Sequence, residues 1–362
     1  MENAREALDP NQAARFREAQ VVDWTGTDFR PDLAFPKLTV EMVERLKPYG
    51  REEMFPADEM LYTYGDRHID MFVILEGGVD IFLPASGPGA KIYRQNRAFD
   101  FTGELNLLNS QRVVVEARTS SESRLLRIDH NQLRQLMRAE GDIANLIVQA
   151  AVWRRIGIMR DASSGVVLMG QPNDAQTTLL QRFFVRNSYP YRIQEVGLGL
   201  AGGTVTRLPA VRLSDGRVMH QPTIPQLADE LGITELPDPG LIYDVAVVGA
   251  GPSGLAAAVY AASEGLCTIV IEGLAPGGQA GTSSKIENYL GFPTGIGGQQ
   301  LASRAQLQAL KFGVQFAISR ETVSVEQVDG IHKLLLAGGI PVCARAVVVA
   351  SGAQYRKLTV QN

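Results

Sequence analysis

A chain of 362 residues is long enough for two or three domains at about 150 residues each, so its apolar residues serve separate cores. Its 35 Lys plus Arg against 39 Asp plus Glu leave a net charge of −4, too even for nucleic-acid or anionic-membrane binding, so any nucleotide partner is small. The two cysteines, Cys267 and Cys343, stand far apart, which excludes a disulfide scaffold and any C-x-x-C redox or zinc motif in this sequence and fits a reducing cytoplasm.

Charges from Glu2 to Glu18 interrupt any apolar run that could serve as a secretory signal, and residues 1–37 read as an N-terminal extension. From Phe55 to Ile128 the chain is built of short β-type runs such as Met71-Phe72-Val73-Ile74-Leu75 and Val79-Asp80-Ile81-Phe82-Leu83. Gly65-Asp66, Gly77-Gly78 and Ser86-Gly87-Pro88-Gly89 punctuate them, which predicts an antiparallel β-roll. Leu133, Leu136, Met137, Ile143, Leu146, Ile147 and Val148 then recur at helical spacing, broken near Gly141, and close a first module over 38–160. Within it stands Phe101-Thr102-Gly103-Glu104-Leu105-Asn106-Leu107-Leu108-Asn109-Ser110-Gln111-Arg112. Amides at a helix start beside Gly103 would attract a phosphate, Arg112 offers it a charged fork, and Glu104 can accept from a ribose 2′-hydroxyl. From Leu38 to Arg155 the sequence resembles cyclic-nucleotide-binding domains of the catabolite-activator and protein-kinase regulatory type, with Gly65-Asp66, Phe72, Ile74 and Gly77 at that family's early strands and turns. The resemblance implies cAMP or cGMP as ligand of Gly103, Glu104 and Arg112. Val113 and Val114 depart from it, standing where the family has alanine and a hydroxyl residue, and the lost hydroxyl removes a phosphate hydrogen bond. A roll that binds another small ligand, or only packs with Glu104 and Arg112 paired to each other, stays open.

The second module, 161–235, opens with Val166 to Met169 as a strand, a loop from Gly170, and a helix through Leu179, Leu180, Phe183 and Phe184. A strand from Tyr191 to Val196, the run Leu208-Pro209-Ala210-Val211, a turn at Ser214-Asp215-Gly216 and a helix around Ile224 to Leu231 follow, the last started by Thr223. This order resembles thioredoxin and glutaredoxin folds and implies a cis Pro209. Gly-Gln-Pro-Asn-Asp-Ala from Gly170 to Ala175 occupies the place of that family's C-x-x-C, so the module cannot exchange disulfides and serves packing or partner docking. Residues 236–242, with Leu236-Pro237-Asp238-Pro239-Gly240, read as a stiff linker.

The third module, 243–362, alternates strands with helices, which predicts a parallel sheet. The uncharged run of 18 residues from Val245 to Ala262 carries Gly249, Gly251, Pro252, Ser253 and Gly254 at its centre and is therefore strand, turn and helix rather than a membrane span. Gly249 permits the tight turn, Gly251 admits a pyrophosphate to the backbone, and Gly254 lets helix and strand pack closely. Glu272 ends the second strand 18 positions beyond Gly254, where a carboxylate can accept from ribose hydroxyls. This unit alone does not separate FAD from NAD. Further on come Ala275-Pro276-Gly277-Gly278-Gln279, then Lys285-Ile286-Glu287-Asn288-Tyr289-Leu290-Gly291-Phe292-Pro293, a helix from Gly298, and the strand Ala346 to Ala350 followed by Ser351-Gly352-Ala353. From Tyr243 to Leu358 the sequence is similar to the FAD-binding half of thioredoxin reductases, in the pyridine nucleotide-disulfide oxidoreductase superfamily. The implied cofactor is FAD, with its pyrophosphate at Gly249, Gly251, Pro252, Ser253 and Gly254 and its ribose at Glu272. On the flavin side Gly277, Gly278, Ser351, Gly352 and Ala353 would keep backbone close to the ring, while the Gln279 and Asn288 amides bond its polar edge. Ordinary loop, cap and solvated-amide roles for Gly277, Gly278, Gln279 and Asn288 stay open. Cys267 and Cys343 read as packed thiols.

In the resembled family a second Rossmann domain binds NADPH and carries the redox cysteine pair. Neither is found before Asn362, so the expectation is a portion of a longer reductase, with NADPH implied only for a longer chain and no catalytic residue assigned here. His68, His130, His220 and His332 are scattered, which leaves no metal site. The expected fold class is multidomain α/β plus β: a cyclic-nucleotide-binding-like roll, a thioredoxin-like unit and an incomplete Rossmann-like domain. The expected function is a cytoplasmic, homodimeric FAD-dependent oxidoreductase passing electrons from NADPH to a disulfide of a thioredoxin-like protein, with the roll as regulator. The alternative is a non-enzymatic cyclic-nucleotide sensor whose Rossmann unit binds a dinucleotide or docks a partner.

Overall fold

The structure is a computed structural model in which residues 20–21, 29–67, 69–83, 91–104, 112–160, 165–171, 173–196 and 207–353 are described. His68, the turn 86–89, Pro172 and positions 105–111 of the Phe101–Arg112 run lie outside the described residues. The chain divides into two compact units, Met1–Gly232 and Ile233–Asn362.

The first unit begins with β1 (Gln20–Val21), α1 (Pro31–Ala34) and α2 (Val40–Leu46). Then come β2 (Arg51–Phe55), β3 (Met60–Tyr62), β4 (Met71–Glu76), β5 (Val79–Leu83), β6 (Lys91–Asn96), β7 (Phe101–Thr102), β8 (Glu116–Thr119) and β9 (Ser123–Ile128). They form two sheets ordered β1-β6-β5-β8-β3 and β2-β9-β4-β7, antiparallel except where β1 meets β6. The β4–β5 turn needs glycine, because Gly77 takes φ +83° and a Cβ there would stand 2.3 Å from Ser123 Oγ. Met71, Val73, Phe101, Leu126 and Ile128 bury one sheet face against Leu38, Val43 and Leu46 and against the helices α3 (His130–Ala139) and α4 (Gly141–Arg160). Asp129 caps α3, its Oδ1 accepting from the Asn131 and Gln132 amides at 2.9 Å. Asp129→Ala is expected to cost about 1 kcal/mol of stability, read as a lowered thermal midpoint.

The same unit continues with β10 (Val166–Gly170), α5 (Ala175–Arg186), β11 (Tyr191–Glu195), β12 (Ala210–Arg212), β13 (Val218–His220) and α6 (Ile224–Glu230). The sheet order is β11-β10-β12-β13, with β10 parallel to β11 and antiparallel to β12. Leu180, Phe183 and Phe184 of α5 are buried, and Phe184 stacks on Tyr191 at 5.0 Å. Where a redox pair would stand, Asp174 instead caps α5, accepting from Thr177 N at 2.7 Å and from its Oγ1 at 2.9 Å. Those bonds hold its carboxyl below the ordinary range. Thr223 and Gln226 form a capping box on α6, and the Leu208–Pro209 peptide is cis. Tyr64 meets Tyr189 hydroxyl to hydroxyl at 3.1 Å, and Arg155 Nε donates to Ser188 O at 2.7 Å, so roll and middle module share polar bonds.

The second unit holds β14 (Ile242–Val248), α7 (Pro252–Ser263), β15 (Thr268–Glu272), α8 (Gly298–Lys311), β16 (Gln315–Ile318), β17 (Thr322–Val328), β18 (Ile331–Leu336) and β19 (Ile340–Val349). Its sheet is ordered β16-β15-β14-β19-β18-β17. The expected parallel sheet covers β16, β15, β14 and β19, while β17, β18 and β19 form an antiparallel meander. The reason lies in the connections: Asp329-Gly330 and Gly338-Gly339 take positive φ and leave too little chain for a helical crossover. The uncharged 18-residue run divides into strand, glycine turn and helix, and no helix among the described residues is long and apolar enough to cross a membrane. Cys267 departs from the expectation of a packed thiol, for it is exposed in the turn between α7 and β15. Partial burial and the nearby Asp244 carboxylate push this thiol up, which disfavours the thiolate. Cys343 is half-buried.

Candidate functional site

The apolar run Val245-Ala246-Val247-Val248 carries β14 through the sheet centre until Gly249 turns the chain with φ +104°, its amide donating to Ile271 O at 2.8 Å. A Cβ at Gly249 would lie 2.3 Å from Ala350 O, and one at Gly254 would lie 1.9 Å from Gly249 O. Both glycines are thus required where the ends of β14 and β19 crowd the first turn of α7. Gly251 is the N-cap of α7, Pro252 follows it, and no side chain caps the helix, so the opening amides after Pro252 remain open to an anion. Gly251 has no neighbour nearer to its Cβ position than Gly278 Cα at 3.9 Å, which leaves the approach to this backbone clear.

Glu272 leaves the end of β15 toward this turn, its Oε2 accepting from Ala250 N at 2.9 Å and its Oε1 from Leu274 N at 3.0 Å. Each oxygen keeps a lone pair for a further donor. The Gly277-Gly278 loop is drawn onto the same turn: Gly277 N donates to Ala250 O at 2.7 Å, and a Cβ at Gly278 would stand 2.9 Å from Gly251 Cα. Gln279 Nε2 donates to Ala353 O, which joins this loop to Ser351-Gly352-Ala353 at the end of β19. Glu272, Gly277, Gly278, Gln279 and the segment Ser351-Gly352-Ala353 therefore gather at the turn and helix start formed by Gly249, Gly251, Pro252, Ser253 and Gly254. Asn288 lies apart from those bonds, exposed on a cavity of about 370 Å³ with Ala280, Ser283, Lys285, Ile286 and Glu287. Lys285 and Glu287 pair there at 2.6 Å, an i,i+2 charge pair that the sequence reading passed over.

In the roll, Gly103 takes φ +93° with Asp70 O 2.1 Å from its Cβ position. Glu104 is 1% exposed and faces Arg154 of α4, Oε1 to Nη1 at 2.9 Å. Arg154 in turn donates to Ala34 O at 2.7 Å and Phe101 O at 2.9 Å and lies over the Phe101 ring. Arg112 points elsewhere, exposed beside Gly232 and donating its amide to Gly232 O at 3.3 Å. Glu104 and Arg112 are thus not paired with each other, and the partner of Glu104 is the arginine that sequence reading missed. Trp153-Arg154-Arg155 inside an apolar helical run was its only signal. Val113 and Val114 are buried in the roll.

Residues 243–362 match the pyridine nucleotide-disulphide oxidoreductase family, and residues 52–140 match the cyclic nucleotide-binding domain family. Among curated proteins, the thioredoxin reductase of Bacillus subtilis is 42% identical over 120 residues, 33% of this chain and 37% of that one. That of Treponema pallidum is 40% identical over 116 residues, 32% and 37% of the two chains. The solved thioredoxin reductase from Streptococcus pyogenes is 36% identical over 33% of this chain and 38% of that one, with a TM-score of 0.31. The chain spans less than two-fifths of the length of these curated relatives.

Proposed function

We propose that this chain carries the FAD-binding portion of a flavin-dependent reductase of the thioredoxin reductase type, with the cyclic-nucleotide-type roll as its regulatory domain. One observation carries the reading: the first turn of α7 presents uncapped amides inside a cradle of Gly249, Gly251, Gly254 and Gly278, three of which have no room for a Cβ. The fourth, Gly251, has the room and no side chain to fill it, as a close phosphate approach requires.

The residues present fit FAD. Amides after Gly251 would hold the pyrophosphate, and the Glu272 carboxylate, oriented by the Ala250 and Leu274 amides, would accept from the ribose. The loops of Gln279 and Ala353 would border the ring, while Asn288 stands apart from them on its own cavity. A bound flavin supplies two-electron redox chemistry. A pyridine nucleotide as donor and a thioredoxin-type disulfide as acceptor complete the reading for a longer, homodimeric reductase of the cytoplasm. The names of the matched family and relatives support the pyridine-nucleotide and disulfide chemistry of this reading, and the present sequence has no C-x-x-C of its own.

Purified protein is expected to be yellow and to release FAD on denaturation in near-equimolar amount, identified by chromatography. Colourless protein that releases no flavin and takes up none from added FAD overturns the reading. Saturable cyclic-nucleotide binding by such colourless protein would establish the sensor instead.

A further inference from the structure

The Phe101–Arg112 run of the roll is bonded to the middle module directly at one of its described ends and reaches it only through α4 at the other. At its start, Glu104 and Phe101 O are held by Arg154, while the next residue of α4, Arg155, donates to Ser188 O between α5 and β11. Both arginines are nearly inaccessible to solvent, and burial pushes Arg155 down to about 10. At its end, the Arg112 amide donates to Gly232 O. The Arg112 side chain lies directly on that glycine, since a Cβ at Gly232 would stand 2.3 Å from Arg112 Cγ and Cδ and 2.6 Å from Nε. From there it borders a cavity of about 730 Å³ lined also by Met219 and His220 of β13 and by Gln226, Asp229 and Glu230 of α6.

The charged fork that would serve a phosphate is carried on the stem that packs on Gly232, and one side chain cannot occupy both places at once. Glu104 points into the roll while Arg112 points at α6, so a ligand that engages both must draw Arg112 from Gly232. We propose that Arg112 is a shared latch: packing on Gly232 and binding a cyclic-nucleotide phosphate compete for it, and the cysteine-free middle module thereby senses occupancy of the roll. The module then has a role that needs no thiol. By linkage, loosening the α6 end must tighten the nucleotide, and nucleotide must loosen the α6 end. This rests on the reading of the roll as a cyclic-nucleotide domain.

Calorimetry of the full chain with cAMP and cGMP tests it, comparing wild type, Gly232→Ala and Arg112→Ala. The Gly232→Ala side chain takes the space of the Arg112 stem, so affinity is expected to rise at least about fivefold, whereas Arg112→Ala abolishes binding. Because Gly232 has φ +65° and alanine is strained there, hydrogen exchange on wild-type protein provides the second measurement. Saturating nucleotide is expected to speed exchange of the amides at 227–232. Binding by wild type with neither the affinity gain nor the exchange change overturns the latch and leaves the roll's ligand standing. Failure of wild type to bind either nucleotide overturns the reading of the roll and the latch with it.

Discussion

Gly251→Ala is expected to leave the protein folded and to strip it of flavin. Gly251 is in an extended conformation that alanine adopts freely, and its Cβ position has only Gly278 Cα, 3.9 Å away, as a neighbour. The added methyl meets nothing in the protein and would meet the pyrophosphate, so unfolding should stay within about 0.5 kcal/mol of wild type. Flavin affinity should fall about ten- to a hundredfold, the effect of losing 1–3 kcal/mol of amide–phosphate bonding. Gly254→Ala makes the contrast. Its Cβ would stand 1.9 Å from Gly249 O, in a turn anchored to Ile271 O, so it should lose about 1–3 kcal/mol of stability as well as flavin. Flavin released per chain and the thermal midpoint separate the two. A Gly251→Ala protein with wild-type flavin content would show that no phosphate approaches this backbone.

The β14–α7–β15 unit was legible because each of its features has a local cause. The apolar run, the glycine spacing and the acid closing β15 are all written within thirty residues. The roll and its helices were legible for the same reason, since turn glycines and helical periodicity act over a few residues. The antiparallel meander was missed although Asp329-Gly330 and Gly338-Gly339 announced its hairpins, because strands after a βαβ unit invite a parallel assignment. Long-range choices left no such trace. Glu104 is separated from Arg154 by fifty positions, and Arg112 from Gly232 by more than a hundred, so only the folded chain reveals which cation faces which group. Cys267 was misplaced because apolar neighbours in sequence do not bury a residue that the chain puts in a turn.

Arg154→Ala is expected to produce the largest loss of stability in the roll. The arginine is 5% exposed and Glu104 1%, so the substitution leaves a carboxylate deep in the fold with its cation removed. Breaking a buried pair from one side costs about 3–5 kcal/mol, because the remaining charge keeps its desolvation cost without its partner. Two more acceptors lose their donor at the same time, Ala34 O and Phe101 O, and the Phe101 ring loses a cation 4.5 Å from its centre. Arg154→Lys should restore little, since a single ammonium cannot span the two carbonyls and Glu104 as the planar fork does. Adding Glu104→Gln to Arg154→Ala should recover about 2 kcal/mol by removing the stranded charge, a non-additivity that a double-mutant cycle measures directly. Hydrogen exchange of the β4 and β9 amides under urea follows the roll specifically, which matters because a chain of several modules need not unfold in one step. If Arg154→Ala costs under about 1 kcal/mol and Glu104→Gln brings nothing back, the carboxylate has another partner.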